Sequence, residues 1–284
     1  MTDWTETYRG AVPPWQCDVT EHFTIAYYFD RLEEAEANFA DELGLDGPWR
    51  RAALPRRVDA RFARELRAGA CFHIESAVLA IDGNELRLGH RVVDSTSGDV
   101  VTWFDEHRDL TGAPLTGSRR QAIGARLRVW NGPETEARPE PASTAGFIAT
   151  ARGRVKHADI DAAGQFALGA MILRFSNASG QVGAAIGMDP GYMQKSRRGF
   201  STFELTLRIS GALPLDAPYL IETGIGHLGN SSLRMIHRMT DPRSGAEIAR
   251  IGQFGVNLDL DARRPARWPE EIRDRATALI VPAG

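Results

Sequence analysis

The chain has 284 residues, 43% hydrophobic and 25% charged, with a formal net charge of −3. This is enough apolar material for one large or two modest packed domains, and the slight acidity argues against general nucleic-acid binding, which calls for a basic face. No apolar run approaches the ~20 residues of a membrane helix, the opening residues MTDWTETYRG lack an apolar leader segment, and Cys17 and Cys71 form neither a CxxC pair nor a metal-ligand spacing.

These features set the expectation of a cytoplasmic chain with no membrane span and no metal or other cofactor. In chain order, a short strand is expected from Thr7 to Val12. The stretch from Trp15 to Leu45 carries the strongest pattern. Ile25, Tyr28, Phe29, Leu32, Ala35, Phe39 and Leu43 recur at three- and four-residue steps, with charged residues between them. That spacing predicts an amphipathic helix of about 18 residues, ended by Gly44 as a left-handed cap.

Asp18 and His22 stand where that helix begins. The first turn of a helix offers unpaired N–H groups and the positive end of the dipole. An oxygen that gains negative charge in a reaction is stabilised there. A neighbouring carboxylate or imidazole could act on a carbonyl carbon or on water. The competing reading is that Asp18 caps the helix and His22 is an ordinary surface residue. Trp15 and Tyr28 could line a ligand pocket or pack in the core.

Four strands are expected next, over Arg56–Phe62, Cys71–Ile81, Glu85–Asp94 and Asp99–Asp109. Asp82-Gly83-Asn84 and the Ser95–Gly98 stretch supply turns short enough for an antiparallel meander. Asn131–Gly146 is rich in Pro, Glu, Ala and Thr and reads as an extended linker.

Beyond the linker the chain repeats itself. Arg9-Gly10-Ala11-Val12 matches Arg152-Gly153-Arg154-Val155, and at the same offset of 143 residues Asp18 falls on Asp161, His22 on Gln165 and Phe23 on Phe166. From Ile74-Glu75 onward the offset is 147, so that His90-Arg91 matches His237-Arg238 and Gly98 matches Gly245. The chain is two copies of one module, divided as residues 1–130, a linker at 131–146, and residues 147–284. The second copy repeats the strand (Ile148–Val155), a helix from Phe166 to about Met188, and four strands ending near Leu260. One long helix against a long curved meander, twice, is an α+β architecture. The second helix is rich in Gly and Ala, which predicts fuller coverage than the first, either by ordinary core burial or by a subunit contact in a homo-oligomer.

The run Asp18-Val19-Thr20-Glu21-His22-Phe23-Thr24-Ile25-Ala26-Tyr27 resembles the D-x-x-G-H-x-N-x-x-Y signature of hotdog-fold thioesterases, the 4-hydroxybenzoyl-CoA thioesterase-like and acyl-ACP thioesterase-like enzymes. Arg64-Glu65-Leu66-Arg67-Ala68-Gly69 resembles their R-E-L-R-x-G turn, and Trp268-Pro269-Glu270-Glu271-Ile272 their closing helix. The resemblance implies a double hotdog in one chain, with an acyl-CoA or acyl-carrier-protein thioester as substrate. It also implies hydrolysis by a carboxylate near a helix N-terminus while backbone N–H groups polarise the thioester carbonyl. Asp18 and His22 then become the catalytic pair, and Trp15, Glu21, Thr24, Tyr28, Asp161 and Gln165 the substrate-binding set. Glu21 stands in place of the family's Gly, Thr24 in place of its Asn, and Gln165 in place of its His in the second copy. These departures leave a non-catalytic acyl-thioester binder as an alternative. A hotdog hydratase, whose D-x-N-P-x-H motif is absent, is a more distant one. The mid-strand pair His90 and His237 is expected to be structural. Arg56, Arg57, Arg61 and the Arg197-Arg198 pair divide between solvated surface charge and contact with CoA phosphates.

Overall fold

The computed structural model describes residues 4–45, 47–115, 117–162, 164–282 and 284. It separates into two compact units. The first is Met1–Glu134 with His157–Met171, and the second is Thr135–Lys156 with Ile172–Gly284. The segment from His157 to Met171, which belongs to the second sequence copy, thus packs with the first unit.

The first unit begins with strand β1 (Thr5–Ala11), followed by helix α1 (Ile25–Glu42) and the short helix α2 (Gly47–Ala52). Strands β2 (Leu54–Phe62), β3 (Cys71–Asp82), β4 (Glu85–Asp94) and β5 (Val100–Asp109) come next, then helix α3 (Gly117–Gly124). The strands are antiparallel in the order β1-β3-β4-β5-β2. Only β3-β4-β5 is the expected meander; β1 and β2, the strands on either side of α1 in sequence, stand at opposite ends of this five-strand order.

Helix α1 has the predicted length, 18 residues, and Gly44 takes the left-handed conformation at φ 69°. Its stripe of Ala26, Tyr28, Phe29, Leu32, Ala35 and Phe39 is buried. Phe29 meets Phe104 edge-on at 5.2 Å, and Tyr28 meets Phe62 at 5.5 Å. Such contacts anchor the helix on the sheet; truncating a buried Phe of this kind costs about 3–5 kcal/mol.

The second unit carries β6 (Ile148–Arg154), most of α4 (Leu168–Ile186), α5 (Pro190–Ser196), β7 (Arg198–Ile209), β8 (Pro218–Leu228), β9 (Ser232–Thr240), β10 (Glu247–Asp259), β11 (Arg264–Pro265) and α6 (Glu270–Thr277). Its order β7-β10-β9-β8-β6, with β11 added along β10, repeats that of the first unit. The residues that lengthen this copy form extra rungs, in which Arg198, Gly199 and Phe200 pair with Asp259, Leu258 and Asn257. The Pro-rich stretch is extended and pinned. Arg138 pairs with Glu204 and lies 4.1 Å from the Phe254 ring centre, while Arg234 reaches Pro139 and Glu140. Helix α4 leaves Asn177, Gly180, Gln181, Ala184 and Ala185 exposed, so its coverage falls short of the expectation from its small residues.

Candidate active site

The segment ahead of α1 is a tight turn built around Asp18. Its Oδ1 accepts from the Thr20 N–H at 2.8 Å, the Thr20 hydroxyl at 2.6 Å and the His22 N–H at 3.3 Å. The Asp18 N–H donates to the His22 carbonyl, and the Glu21 N–H to the Asp18 carbonyl. Asp161 does the same before α4. Its Oδ1 accepts from the Gln165 N–H at 2.8 Å, and its backbone pairs with Gln165 and Gly164 as Asp18 does with His22 and Glu21. A short aspartate whose oxygen closes a turn on following N–H groups is a recurrent device. It accounts for the match of Asp18 to Asp161 across the copies. Asp18 does not cap α1, because the N-cap is Thr24, which makes no side-chain bond.

Glu21, where the motif has Gly, sits at φ 65°, and its counterpart Gly164 at φ 78°. The turn demands a left-handed residue, which glycine adopts without strain. Ala163, in the second turn, lies outside the described residues.

His22 is not a surface residue. It is 5% exposed, with Nε2 3.1 Å from the Glu65 carboxylate and Nδ1 2.9 Å from the Thr20 hydroxyl. The structure therefore links Asp18, Thr20, His22 and Glu65 in one chain of contacts. Trp15 stands apart at 80% exposed, and Tyr28 is buried with its hydroxyl accepting from the Leu66 N–H. Cys17 is half-buried, and burial raises its thiol pKa, which disfavours the nucleophilic thiolate.

A carboxylate at a helix N-terminus is present, but it belongs to Glu33, a residue sequence reasoning passed over. Glu33 Oε1 accepts from the Leu168 N–H at 2.7 Å and Oε2 from the Gly169 N–H at 3.2 Å, the first two residues of α4. The approach depends on Gly169. A Cβ there would lie 2.9 Å from Asp30 Cβ and 3.0 Å from its Cα, so α1 and the start of α4 could not meet this closely. Burial pushes the Glu33 carboxyl up to about 7, against the pull of its two N–H donors and with help from the nearby charges of Asp161 and Asp30. Burial also raises Asp30. No periodicity could single out Glu33, since it is one of several charged residues on the polar side of α1. The repeat holds the one available signal, that its counterpart in the second copy is Ser176.

One turn further along α1 a buried ionic cluster begins. Glu36 pairs with Arg108, whose Nε donates to Glu106 at 2.8 Å and whose Nη1 donates to the Ala53 carbonyl. Glu106 lies 3.4 Å from His90 Nε2, and His90 Nδ1 continues to Ser76 and Thr7, each step 2.7 Å. Burial holds Glu36 up to about 8, whereas Arg108 and His90 outweigh burial to bring Glu106 down to about 2. The second unit repeats the path in neutral residues, from Thr150 through Thr223 and His237 to Gln253 and Ser179. Burial keeps His237 uncharged by lowering its pKa to about 4. Both mid-strand histidines are thus core residues, as expected.

Four of the five arginines weighed for CoA phosphates have partners within the chain. Arg56 pairs with Asp109, Arg57 with Asp59 and Arg197 with Asp261, and Arg61 donates to the Glu134 carbonyl. Among the described residues no group of three or more His, Cys, Asp or Glu is placed to hold a metal ion, and no helix is long and apolar enough to cross a membrane.

Two helix-on-sheet modules of one topology in one chain define a tandem hotdog protein. The model of the thioesterase-like superfamily matches residues 12–119 and 155–276, and the chain belongs to that superfamily. Its fold is shared with an acyl-ACP thioesterase from Bacteroides thetaiotaomicron, at a TM-score of 0.67 and 12% identity over 90% of this chain and 100% of the other. The same holds for the 12:0-ACP thioesterase from Umbellularia californica, at a TM-score of 0.65 and 16% identity over 88% of this chain and 92% of the other. No curated protein sequence matches this chain.

Proposed function

We propose that the protein hydrolyses an acyl thioester carried by coenzyme A or an acyl carrier protein, with Glu33 as the reacting carboxylate. The observation that carries this reading is the Glu33 carboxylate on the Leu168 and Gly169 N–H groups. A thioester oxygen that takes over one of those N–H groups is polarised by the donor and by the positive end of α4. Glu33, displaced from that donor, faces the carbonyl carbon or a water beside it. As base, it takes a proton from the water as the oxygen bonds to carbon; the C–S bond then breaks and the thiol leaves with a proton. A carboxyl with pKa near 7 is well matched to this task at neutral pH.

In this reading the Asp161–Gln165 turn shapes the N-terminus of α4, and the Asp18–His22 turn is its matched counterpart before α1. Ser176 stands where a second Glu33 would be, so each chain has one reacting carboxylate. Membership of the thioesterase-like superfamily and the likeness to acyl-ACP thioesterases support the substrate class.

A panel of acyl-CoA and acyl-ACP thioesters with a thiol-detecting reagent tests the proposal. Thiol release that saturates with one carrier series supports it and names the carrier. A chain that binds these thioesters and releases no thiol would instead be an acyl-thioester binder.

A further inference from the structure

Strand β6 ends the order of its unit, with β8 along one side and, among the described residues, no strand along the other. Its register with β8 shifts between Ala149 and Ala151 and then runs unbroken from Ala151 to Arg154. A strand in that position presents a row of unpaired N–H and C=O groups, and folded chains ordinarily blunt such an edge with charges or covering groups.

The first copy does so at β1. Arg9 donates twice to Glu6, at 2.8 and 2.6 Å, Tyr8 stacks on Phe72 at 5.6 Å, and Asn38 Nδ2 donates to the Thr7 carbonyl at 2.7 Å. At the matching positions of the second copy these devices are replaced by small residues. Ala149 stands for Glu6, Ala151 for Tyr8, and Gly180 for Ala37 on the adjoining helix. Gln181, in the place of Asn38, borders a groove of about 650 Å³ along β6 and α4, together with Ala151, Arg152 and Gly180.

Two features say what fits there. The open backbone calls for another extended backbone, since a strand added to a free edge is held by main-chain bonds while its alternate side chains enter pockets beside it. The charge calls for acids. Among the described residues that border the groove there is no carboxylate, and Arg152 is exposed on the same edge. A second copy of this chain fits less well. Pairing β6 with itself would line the Arg152 and Arg154 of both copies along one seam, and like charges across strands repel.

We propose that the free edge of β6 is a docking site for an acidic, extended segment of a partner protein. The segment adds to the sheet as one more strand along residues 151–154 and sets a carboxylate against Arg152. This does not depend on the reaction assigned to Glu33.

Calorimetric titration of the full chain with capped peptides of about seven residues, alternating glutamate with threonine or with valine, tests this. Binding of at least one peptide is expected. It should weaken at least about tenfold when lysine replaces the glutamates, and in Arg152→Gln. The same loss is expected when every peptide nitrogen is methylated, which keeps the charge and prevents strand pairing. Ala149→Glu with Ala151→Tyr rebuilds the edge of the first copy and should abolish binding in a chain that thermal melts show to be folded. No binding of either peptide at about millimolar concentration, or full binding of the methylated peptides, would overturn the proposal. So would tighter binding of the lysine peptides. A wild-type dimer in sedimentation that Ala149→Glu with Ala151→Tyr dissolves would also overturn it, by making the occupant a second copy.

Discussion

Glu33 and Asp18 are both carboxylates near a helix start, yet their surroundings differ. Asp18 is exposed and its Oδ1 holds a turn together, whereas Glu33 is half-buried against two main-chain donors with a pKa near 7. If Glu33 acts as base or nucleophile it must be ionised, so kcat/KM should fall as the pH drops through about 7, which a pH–rate profile reads directly. Stability moves the other way. Between the ordinary glutamate value of 4.5 and about 7 the folded chain keeps a proton that the unfolded chain has released, so this carboxyl costs stability as pH rises through that window. Melting curves should therefore show Glu33→Gln gaining on the wild type between about pH 5 and pH 8, by on the order of 1–3 kcal/mol. Glu21→Gly should raise the melting temperature by removing left-handed strain, an effect of about 0.4–1 kcal/mol. The Asp18–Asp161 match was legible in the sequence because a turn is local, and its pattern recurs at one offset. Glu33 was not, because its partners lie 135 and 136 residues away and nothing along α1 marks the charged position that will meet them.

Among the elements, α1 was readable to its last turn, since a buried stripe of period 3.6 and a left-handed glycine are both local signals. The β3-β4-β5 meander was readable from its short turns. The separation of β1 and β2 to opposite ends of the five-strand order was not, because pairing between strands distant in sequence leaves no local signal. Two devices hold the start of α4 and the body of α1 in place. Gly169 permits the close approach, so Gly169→Ala should push the helices apart. That substitution should lower kcat by about tenfold or more while costing about 1–3 kcal/mol of stability, separable by kinetics and thermal melts. The Glu36–Arg108–Glu106 cluster is balanced only as a set. Arg108→Met should destabilise by about 3–5 kcal/mol by stranding two buried acids. Adding Glu36→Gln and Glu106→Gln should recover part of that loss in denaturant melts, since the second copy builds the same path from neutral residues.

Across the whole molecule, one module occurs twice with different residues at matching positions. Both copies keep the helix, the five antiparallel strands in one order, the aspartate turn and the buried histidine relay. They differ in where charge sits. The first copy keeps Glu33 and a charged core cluster; the second replaces them with Ser176, Gln253 and Ser179 and opens an arginine-lined groove. The duplication and these replacements are visible in the sequence alone. Their consequence is visible only once Leu168 and Gly169 are seen to donate to a side chain of the other copy. The central claim is that Glu33 carries the reaction, and steady-state hydrolysis by Glu33→Gln and Asp18→Asn, each shown to be folded, tests it most directly. The prediction is a fall in kcat of about 10²-fold or more for Glu33→Gln, with KM little changed, and a much smaller effect for Asp18→Asn. Glu33→Gln at the wild-type rate with Asp18→Asn inactive would contradict the account and return the chemistry to the turn before α1.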